Sequence, residues 1–564
     1  MDFDPDSCLQ AIWIMVMKTS TVAPLRSSWQ DEFPTADTSM GTVKGHYKYS
    51  YGKRKYAAFE GIPYIKPPVG ELRFEEPQSP EPWAEVLDAT KLHTCMQKFI
   101  LLPAVAGEED CVYLNIYVPR TQPIPKENLD VIVHIHGGAF VAGSANLAGP
   151  GYIMDEDIVY VNLNYRLGIF GFLSTEDNEI PGNYGLKDQV FALKWIQNNI
   201  EYFGGNPKSV TITGLSAGGA SVHYHYLSPL SKGLFHRGLS QSGTAIAPWA
   251  VVNNPLEYAL KLGKAVECST ESTKALKECL KSKSAESLYD KMESMYELPS
   301  GFPIVPFGPV IEKTSKTAFI TKHPYLLLKK GKVHDIPWIT SATTDEGLLV
   351  LMFLNYTLES VENNWNHDLP FIFDYYSKVK EADKATVAER IKEFYVNKDT
   401  SKIKNFVKAF GDRLFIAPLD KGVRLQAKVT NSPVYAQIYG YEAELKVPFS
   451  PPDEFRGVDH GANGLLMYDV IFPGLPGLPE KLSDNDEKIK DSQIEMLVSF
   501  AKSGIPTLND IEWKPVSGGK NIEYLFVKNP DNIFMKYSKE LCPLSFWESL
   551  PIYENEKLDT KEEL

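Results

Sequence analysis

The chain lacks an excess of positive charge. Of its 564 residues, 58 are Lys or Arg and 72 are Asp or Glu, which gives a formal net charge of -14 at pH 7. Nucleic acids and anionic membranes attract proteins through basic surfaces, so the composition disfavours both as partners. We therefore expect a small organic substrate and predict no nucleic-acid partner.

The common motifs for metals and phosphates are also missing. There is no CxxC pair, which disfavours a zinc ribbon or a thioredoxin-type site. The glycine-rich patterns that cradle phosphate groups, GxxxxGK(S/T) and GxGxxG, do not occur either. We predict that the protein uses neither a metal nor another cofactor.

Long apolar runs are scarce. Residues 9–17 form an apolar run broken only by Gln10, which suits a signal-peptide core and is too short to span a bilayer. However, Asp2, Asp4 and Asp6 occupy the region where a signal peptide carries positive charge. We interpret residues 1–40 as an N-terminal segment that contains a signal or targeting region. A misassigned start of the chain is the alternative interpretation. We predict no transmembrane segment.

Six cysteines are present, and their spacing is informative. Cys95 with Cys111, and Cys268 with Cys279, would each close a short local loop, as expected in an oxidising compartment. Asn355-Tyr356-Thr357 is the only N-glycosylation sequon, and it is usable only in the secretory route. Together these features favour the secretory pathway.

The chain ends in Lys561-Glu562-Glu563-Leu564, which resembles a KDEL-type retention address. An ordinary acidic tail without a targeting role is the alternative interpretation. In either case residues 551–564 form an acidic C-terminal tail that ends in this sequence. The expected location is therefore the secretory pathway, by secretion or by retention in the endoplasmic reticulum lumen. A cytoplasmic location follows if the N-terminal segment is not a signal.

Apolar, β-branched runs alternate with helical patterns along most of the chain. Strands are predicted at 41–47, 55–59, 112–118, 131–136, 158–163, 210–213, 234–241, 338–342, 434–439 and 523–527, and the clearest helix at 186–203. Such alternation indicates an α/β fold with a large, mostly parallel, twisted sheet covered by helices on both faces. We predict one domain at 41–550, with helical cap insertions at 256–295 and 358–429.

The run at 210–213 leads directly into Gly214-Leu215-Ser216-Ala217-Gly218-Gly219. Glycines two residues before and after Ser216 leave room for the sharp turn of a nucleophile elbow, in which a serine hydroxyl leaves the end of a strand. A glycine-rich turn that merely contains a serine is the alternative interpretation.

A serine nucleophile needs a histidine base, and that base needs an acid to orient it. In α/β-hydrolases the chain order is serine, acid, histidine. Among histidines far downstream of Ser216, His460 lies in a glycine-flanked loop after a strand, whereas His367 lies in a polar stretch, so we favour His460. The acid should follow the strand at 338–342, where the neighbouring residues Asp345 and Glu346 are barely separable by sequence alone.

Acyl transfer also needs N–H donors aimed at the developing oxyanion. The backbone N–H of Ala217, directly after the candidate nucleophile, is one candidate. The loop His136-Gly137-Gly138-Ala139-Phe140 follows a predicted strand, and its small residues would let further amides approach a substrate.

Four further motifs occur before Ser216. In chain order they are Phe59-Glu60-Gly61-Ile62-Pro63-Tyr64, Glu109-Asp110-Cys111-Val112-Tyr113-Leu114-Asn115, Asn164-Tyr165-Arg166-Leu167-Gly168 and Gly182-Asn183-Tyr184-Gly185-Leu186-Lys187-Asp188-Gln189. With these motifs the chain resembles the type-B carboxylesterase and cholinesterase family of α/β-hydrolases, in particular the arthropod carboxylesterases. The resemblance implies a serine ester hydrolase that works through an acyl-enzyme. It further implies a set of site residues: the triad Ser216, Glu346 and His460, an oxyanion hole from Gly138, Ala139 and Ala217, and the disulfides Cys95–Cys111 and Cys268–Cys279.

Two departures from the family pattern bear on specificity and rate. Many relatives carry an acidic residue shortly after the histidine, whereas this chain has Asn463, although Ser242 keeps the family's buried serine. Leu348 and Leu349 stand where cholinesterases place aromatic rings, so a quaternary ammonium group would lose its cation–π partners. Neutral, mainly apolar esters are therefore the expected substrates.

Trp249, Phe302 and Phe307 resemble the family's acyl-pocket lining, and ordinary core packing is the alternative for all three. Detoxification of xenobiotic or lipid esters is the expected role. The alternatives are a juvenile hormone esterase-like hydrolase, which typically carries Gln where Leu215 stands, a slow-turnover ester or organophosphate scavenger, and an inactive adhesion protein.

Overall fold

The computed structural model of the protein describes residues 32–98, 104–355, 357–397, 401–445, 452–470, 481–508, 511–554 and 557–558. The apolar run at 9–17 and the last four residues, both interpreted above, lie outside these ranges.

Sixteen strands are present in the described residues. In chain order they are β1 Thr35–Thr38, β2 Gly41–Lys44, β3 His46–Tyr49, β4 Lys55–Pro63, β5 Leu87–Asp88, β6 Tyr113–Val118, β7 Leu129–Ile135, β8 Ala148–Gly149, β9 Ile158–Leu163, β10 Gly205–Leu215, β11 Arg237–Gln241, β12 Trp338–Thr343, β13 Val434–Tyr439, β14 Asp469–Val470, β15 Ile522–Asn529 and β16 Asn532–Ser538.

Eleven of these strands form one large sheet in the order β16-β15-β13-β12-β11-β10-β7-β9-β6-β4-β3. The pairs from β9 through β7, β10, β11, β12 and β13 to β15 are parallel, and the pairs at the two ends are antiparallel. Every residue of β9 and β12 is buried, as expected for strands covered on both faces. The predicted α/β fold with a mostly parallel sheet is confirmed.

The helices lie between the strands and in two insertions. Those of the described residues are Gly168–Phe172, Tyr184–Asn199, Ala217–Leu227, Pro255–Ala265, Thr273–Ser282, Ala285–Tyr289, Pro324–Lys329, Leu349–Phe353, Glu359–Asn363, Trp365–Ile372, Glu381–Ile391, Lys402–Gly411, Ala417–Val429, Ala462–Leu465, Asp484–Ser503 and Leu544–Ser549. In the described part of the chain, no helix combines the length and apolar character needed to cross a bilayer.

Most predicted elements are present with shifted ends. The run at 41–47 divides into two strands at Gly45, and the helix at 186–203 becomes Tyr184–Asn199 with a 3-10 turn, Ile200–Phe203, before Gly204. Strand β16 was missed. It pairs antiparallel with β15 and forms one edge of the sheet.

Both disulfides occur in the structure, Cys95–Cys111 and Cys268–Cys279. Part of the second insertion reaches the carboxyl end of β12, because the helix Lys402–Gly411 packs against the turn Glu346–Leu348. A Cβ at Gly347 would overlap the Val407 carbonyl oxygen, so glycine is needed for this approach. The turn after β12 is thus held firmly where a candidate acid lies.

Candidate active site

Ser216 stands at the sharp turn between β10 and the helix Ala217–Leu227. Its backbone has φ 58° and ψ -120°, a conformation that L-residues seldom adopt. A Cβ at Gly214 would overlap the Gly218 carbonyl oxygen, and one at Gly218 would overlap that of Ile135. The two glycines therefore make this strained turn feasible, as expected for a nucleophile elbow.

The loop after β7 lies directly against Ser216. A Cβ at Gly137 would lie 3.1 Å from the Ser216 Cβ. The following residues have positive φ, 110° at Gly138, 55° at Ala139 and 60° at Phe140. Backbone in this region costs about 1–3 kcal/mol for a non-glycine residue and persists only where the surroundings hold it. The loop is therefore rigidly placed beside the candidate nucleophile.

His460 and Glu346 are hydrogen-bonded to each other. His460 Nδ1 lies 2.6 Å from Glu346 Oε2, and the other carboxylate oxygen, Oε1, accepts a 2.8 Å hydrogen bond from the Thr343 N–H. The Glu346 side chain is fully buried and the His460 side chain is 10% exposed. A carboxylate in this position selects the imidazole tautomer with the proton on Nδ1, which leaves Nε2 free to accept a proton.

Asp345 has different partners from its neighbour. Its Oδ2 accepts hydrogen bonds from the Val458 N–H at 3.1 Å and from the Thr344 hydroxyl at 2.7 Å. The Asp345 N–H in turn donates to the Val458 carbonyl oxygen at 3.1 Å. Of the two adjacent carboxylates, Glu346 faces the histidine, whereas Asp345 ties the loop that carries His460 to the end of β12.

His367 lies elsewhere. It belongs to the helix Trp365–Ile372, its side chain is 73% exposed, and its Nδ1 lies 2.8 Å from the carboxylate of the adjacent Asp368. The structure thus pairs His460, and not His367, with the acid that follows β12.

Gln241 connects the candidate nucleophile to the His460 loop. Its backbone oxygen accepts a 2.7 Å hydrogen bond from the Ser216 N–H, and its side-chain Nε2 donates to the Asn463 carbonyl oxygen at 2.8 Å. In addition, a Cβ at Gly461, directly after His460, would lie 3.4 Å from the Leu215 side chain. Residues 215–216 and 460–463 therefore meet at the carboxyl ends of β10 and β11.

The Asn463 side chain is buried among hydroxyl groups. Its Nδ2 donates to Ser341 Oγ at 3.0 Å and to Ser242 Oγ at 3.2 Å. This neutral amide thus ties the His460 loop to β12 and to the residue after β11.

An aromatic wall adjoins the candidate triad. The Phe415 ring centre lies 4.6 Å from that of His460, Trp249 lies 6.0 Å from Phe415, and Phe140 of the glycine-rich loop lies 6.4 Å from Trp249. The Trp249 Nε1 donates to the Leu414 carbonyl oxygen at 3.0 Å. The polar group of the side chain is therefore satisfied, and its ring makes apolar contacts with Phe415 and Phe140. Sequence reasoning did not identify Phe415, which lies in a π-helical turn, Asp412–Ile416, without a motif of its own.

The other predicted pocket residues divide into two groups. Leu348 lies near the His460 loop, since a Cβ at Gly457 would be 2.9 Å from its side chain, and Leu349 is half-buried directly after it. Phe302 is fully buried between Phe353 and Phe410, and Phe307 packs 6.0 Å from Tyr258. The contacts of these two phenylalanines are with other aromatic side chains.

A cavity of about 250 Å³ lies next to the same wall. Arg413 and Pro248 line it, and they immediately precede Leu414 and Trp249 in sequence. The cavity is lined on its other side by residues of the C-terminal part of the chain, including Trp547. Ser216, Glu346 and His460 are not among the residues that line this cavity.

Comparison with known proteins gives one consistent result. The model of the carboxylesterase family matches residues 32–547. Venom carboxylesterase-6 of Apis mellifera is 39% identical over 549 residues, covering 94% of this chain and 97% of the relative, and the juvenile hormone esterase of Tribolium castaneum is 36% identical over 504 residues, covering 84% of each. The crystal structure of the juvenile hormone esterase from Manduca sexta, with OTFP covalently attached, aligns with a TM-score of 0.81 at 27% identity, covering 92% of this chain and 99% of that one.

Proposed function

Because the chain belongs to the carboxylesterase family, we propose that Ser216, His460 and Glu346 form the catalytic triad of this carboxylic ester hydrolase. The observation that carries the proposal is the 2.6 Å contact between His460 Nδ1 and Glu346 Oε2 beside the strained Ser216 turn. The chain order, serine, acid, histidine, is that of α/β-hydrolases.

The proposed reaction has two halves. Ser216 Oγ attacks the ester carbonyl carbon while His460 Nε2 takes the hydroxyl proton, and the carbonyl oxygen becomes the oxyanion of a tetrahedral intermediate. When the intermediate collapses, the C–O bond to the alcohol breaks and His460 returns the proton to the leaving alcohol. Water then attacks the acyl-enzyme by the same route, which releases the acid and restores Ser216.

Three backbone N–H groups are proposed to bind the oxyanion, those of Gly138, Ala139 and Ala217. The packing of Gly137, the residue before Gly138, against Ser216 supports the first two donors. The start of the helix Ala217–Leu227 directly after Ser216 supports the third. Because these donors are backbone groups, the methyl group of Ala139 does not remove one. Each donor of this kind is worth about a hundredfold to a thousandfold in rate.

Neutral, mainly apolar esters are the proposed substrates. The proposal is supported by the Phe415 ring, which packs against His460, and by Trp249, which packs against Phe415. Leu348 adds an aliphatic side chain near the His460 loop. We propose detoxification of xenobiotic or lipid esters as the role. A juvenile hormone ester is the second candidate, supported by the two juvenile hormone esterases among the similar proteins, although Leu215 precedes the nucleophile.

A panel of esters tests both the mechanism and the substrate class. We expect turnover of short-chain aryl esters and apolar alkyl esters, turnover of acetylcholine at least about tenfold lower, and loss of activity on all esters with Ser216→Ala. Wild-type turnover by Ser216→Ala would refute the proposed nucleophile. A higher kcat/KM for a juvenile hormone ester than for every aryl ester would favour the second candidate.

The slow-turnover alternative depends on Asn463, which places a neutral amide near His460. Presteady-state kinetics distinguish it from the main proposal. We expect steady turnover after any initial burst, whereas one equivalent of alcohol followed by negligible release would identify a scavenger.

We further propose that the protein follows the secretory pathway and is glycosylated at Asn355. The two disulfides and the exposure of Asn355 support this. Secretion of an expressed chain, and a mass decrease after removal of N-linked glycans that disappears with Asn355→Gln, would support it. Recovery of the unmodified chain only in the cytosol would refute it.

A further inference from the structure

His136 begins the glycine-rich loop, and the reaction described above gives it no role. Its side chain is buried, and its Nδ1 lies 2.7 Å from the Gly137 carbonyl oxygen. A carbonyl oxygen can only accept, so the proton of the ring is on Nδ1. Burial lowers the pKa of His136 to about 4, although the hydrogen bond to Gly137 acts in the opposite direction. The ring is therefore neutral at neutral pH and donates through Nδ1 alone.

The partner of this hydrogen bond is part of the proposed oxyanion hole. The Gly137 carbonyl and the Gly138 N–H belong to one planar trans peptide unit, in which the C=O and N–H bonds point in opposite directions. A group that fixes the Gly137 oxygen therefore fixes the direction of the Gly138 N–H. Because glycine on both sides leaves the chain free to rotate, this peptide needs such a restraint.

The imidazole is itself held in place. Its ring stacks on Tyr165, with centres 4.5 Å apart and planes 18° apart, and the Tyr165 hydroxyl donates to the His136 carbonyl oxygen at 3.0 Å. A ring that is buried and stacked in this way has little freedom to turn away from Gly137.

Gly143 closes the contact from the other side. A Cβ at this position would overlap the Gly137 oxygen and lie 2.5 Å from His136 Nδ1, so the backbone of Gly143 packs directly against the hydrogen bond. Gln97 holds Gly143 in turn: its Oε1 accepts from the Gly143 N–H, and its Nε2 donates to the Gly143 carbonyl oxygen, both at 2.9 Å. Gln97 follows Cys95 of the first disulfide by two residues.

We propose that His136 is a positioning residue of the oxyanion hole, whose Nδ1–H fixes the Gly137–Gly138 peptide, and that Gln97 supports this contact through Gly143. The inference rests on the proposed function, because it assumes that the Gly138 N–H binds the oxyanion. Loss of the restraint misdirects one oxyanion donor and leaves substrate binding in the ground state unchanged.

His136→Phe and His136→Asn form a matched pair for the test. Phenylalanine keeps an aromatic ring against Tyr165 but has no donor, whereas the asparagine Nδ2 donates from close to the position of Nδ1. With a short-chain aryl ester, we expect His136→Phe to lower kcat about tenfold to a hundredfold with KM within about twofold, and His136→Asn to recover most of the loss. A trifluoromethyl ketone, which forms a tetrahedral adduct with the nucleophile, should bind His136→Phe more weakly by the factor that kcat loses.

Two results would overturn the inference: a kcat of His136→Phe within twofold of wild type, or a loss of kcat without weaker binding of the ketone. If His136→Phe does not fold, Gln97→Leu replaces it, with the same expected direction and the same refuting results. Ser216→Ala is measured in parallel, since activity in that variant would refute the proposed function itself, whatever the outcome at His136.

Discussion

Replacement of Glu346 by glutamine tests the assignment of the catalytic acid with almost no change in shape. The Thr343 N–H donates to Glu346 Oε1 at 2.8 Å, so the glutamine carbonyl oxygen must occupy that side. The glutamine NH₂ then faces His460 Nδ1, where the carboxylate oxygen now lies 2.6 Å away. An NH₂ group can only donate, so Nδ1 has to become an acceptor and the ring proton moves to Nε2.

The expected loss is large because this tautomer cannot act as a base. With the proton on Nε2, His460 has no lone pair for the Ser216 hydroxyl, and the imidazolium formed during the reaction faces a neutral amide. The corresponding acid-to-amide change in a serine protease lowers kcat about 10⁴-fold, which corresponds to about 5.5 kcal/mol of activation free energy. We expect Glu346→Gln to lower kcat by a similar factor.

Asp345→Asn is the matched control, since it removes a neighbouring negative charge. An asparagine oxygen can still accept from the Val458 N–H and the Thr344 hydroxyl, as Asp345 Oδ2 does now. We expect its kcat within about tenfold of wild type, measured by steady-state hydrolysis of an aryl ester on folded protein. If Glu346→Gln kept more than a tenth of the activity, or if Asp345→Asn lost as much, the assignment of Glu346 would be wrong.

Three further predictions concern stability. Asn463→Leu should lower the free energy of unfolding by about 1–3 kcal/mol, because the buried hydroxyl groups of Ser242 and Ser341 lose a hydrogen-bond partner. An unchanged midpoint of urea unfolding would contradict this prediction. Gly347→Ala should destabilise the protein and lower kcat, because the new methyl group would overlap the Val407 carbonyl oxygen beside Glu346, whereas Gly519→Ala, on an exposed turn, should change neither property. The free energy of unfolding should fall as the pH drops below 6.5, because four buried histidines bind a proton in the unfolded chain but not in the folded protein. The expected loss is about 1.4 kcal/mol per pH unit for each histidine until its folded pKa is reached. Urea titrations between pH 7 and pH 5 that gave a constant free energy of unfolding would refute this prediction. Burial lowers the pKa of these histidines to about 4 for His136 and to about 3 for His134, His223 and His225.

The sequence predicted the sheet well because its strands are buried on both faces. Runs of six residues that include several β-branched side chains mark β9 and β12, whose residues are all buried. Strand β16 lies at an edge and carries exposed residues such as Tyr537, so it has no such run. The pairing of an edge strand depends on the turn that joins it to its neighbour, here the turn at 530–531 between β15 and β16.

In the candidate site, the sequence predicted the residues that belong to a recognisable motif. It did not predict residues whose place in the site depends only on contacts in the folded structure. Asp345 and Glu346 are adjacent acids, and only the direction of each side chain, toward Val458 or toward His460, separates them. Phe415 contacts His460 from a π-helical turn, and no local sequence pattern predicted this geometry. The hydrogen bond from His136 to the Gly137 carbonyl oxygen depends on the conformation of the loop, so it could be identified only from the structure.

The central claim is that Ser216 is the nucleophile of an ester hydrolase, and chemical labelling tests it most directly. An organophosphate that inactivates the enzyme forms a stable adduct with the residue that attacks it, and peptide mass spectrometry locates that residue. The account predicts one adduct per chain, on Ser216, at a rate that parallels loss of esterase activity. Complete inactivation with the adduct on another residue, or full activity in a chain labelled at Ser216, would contradict it.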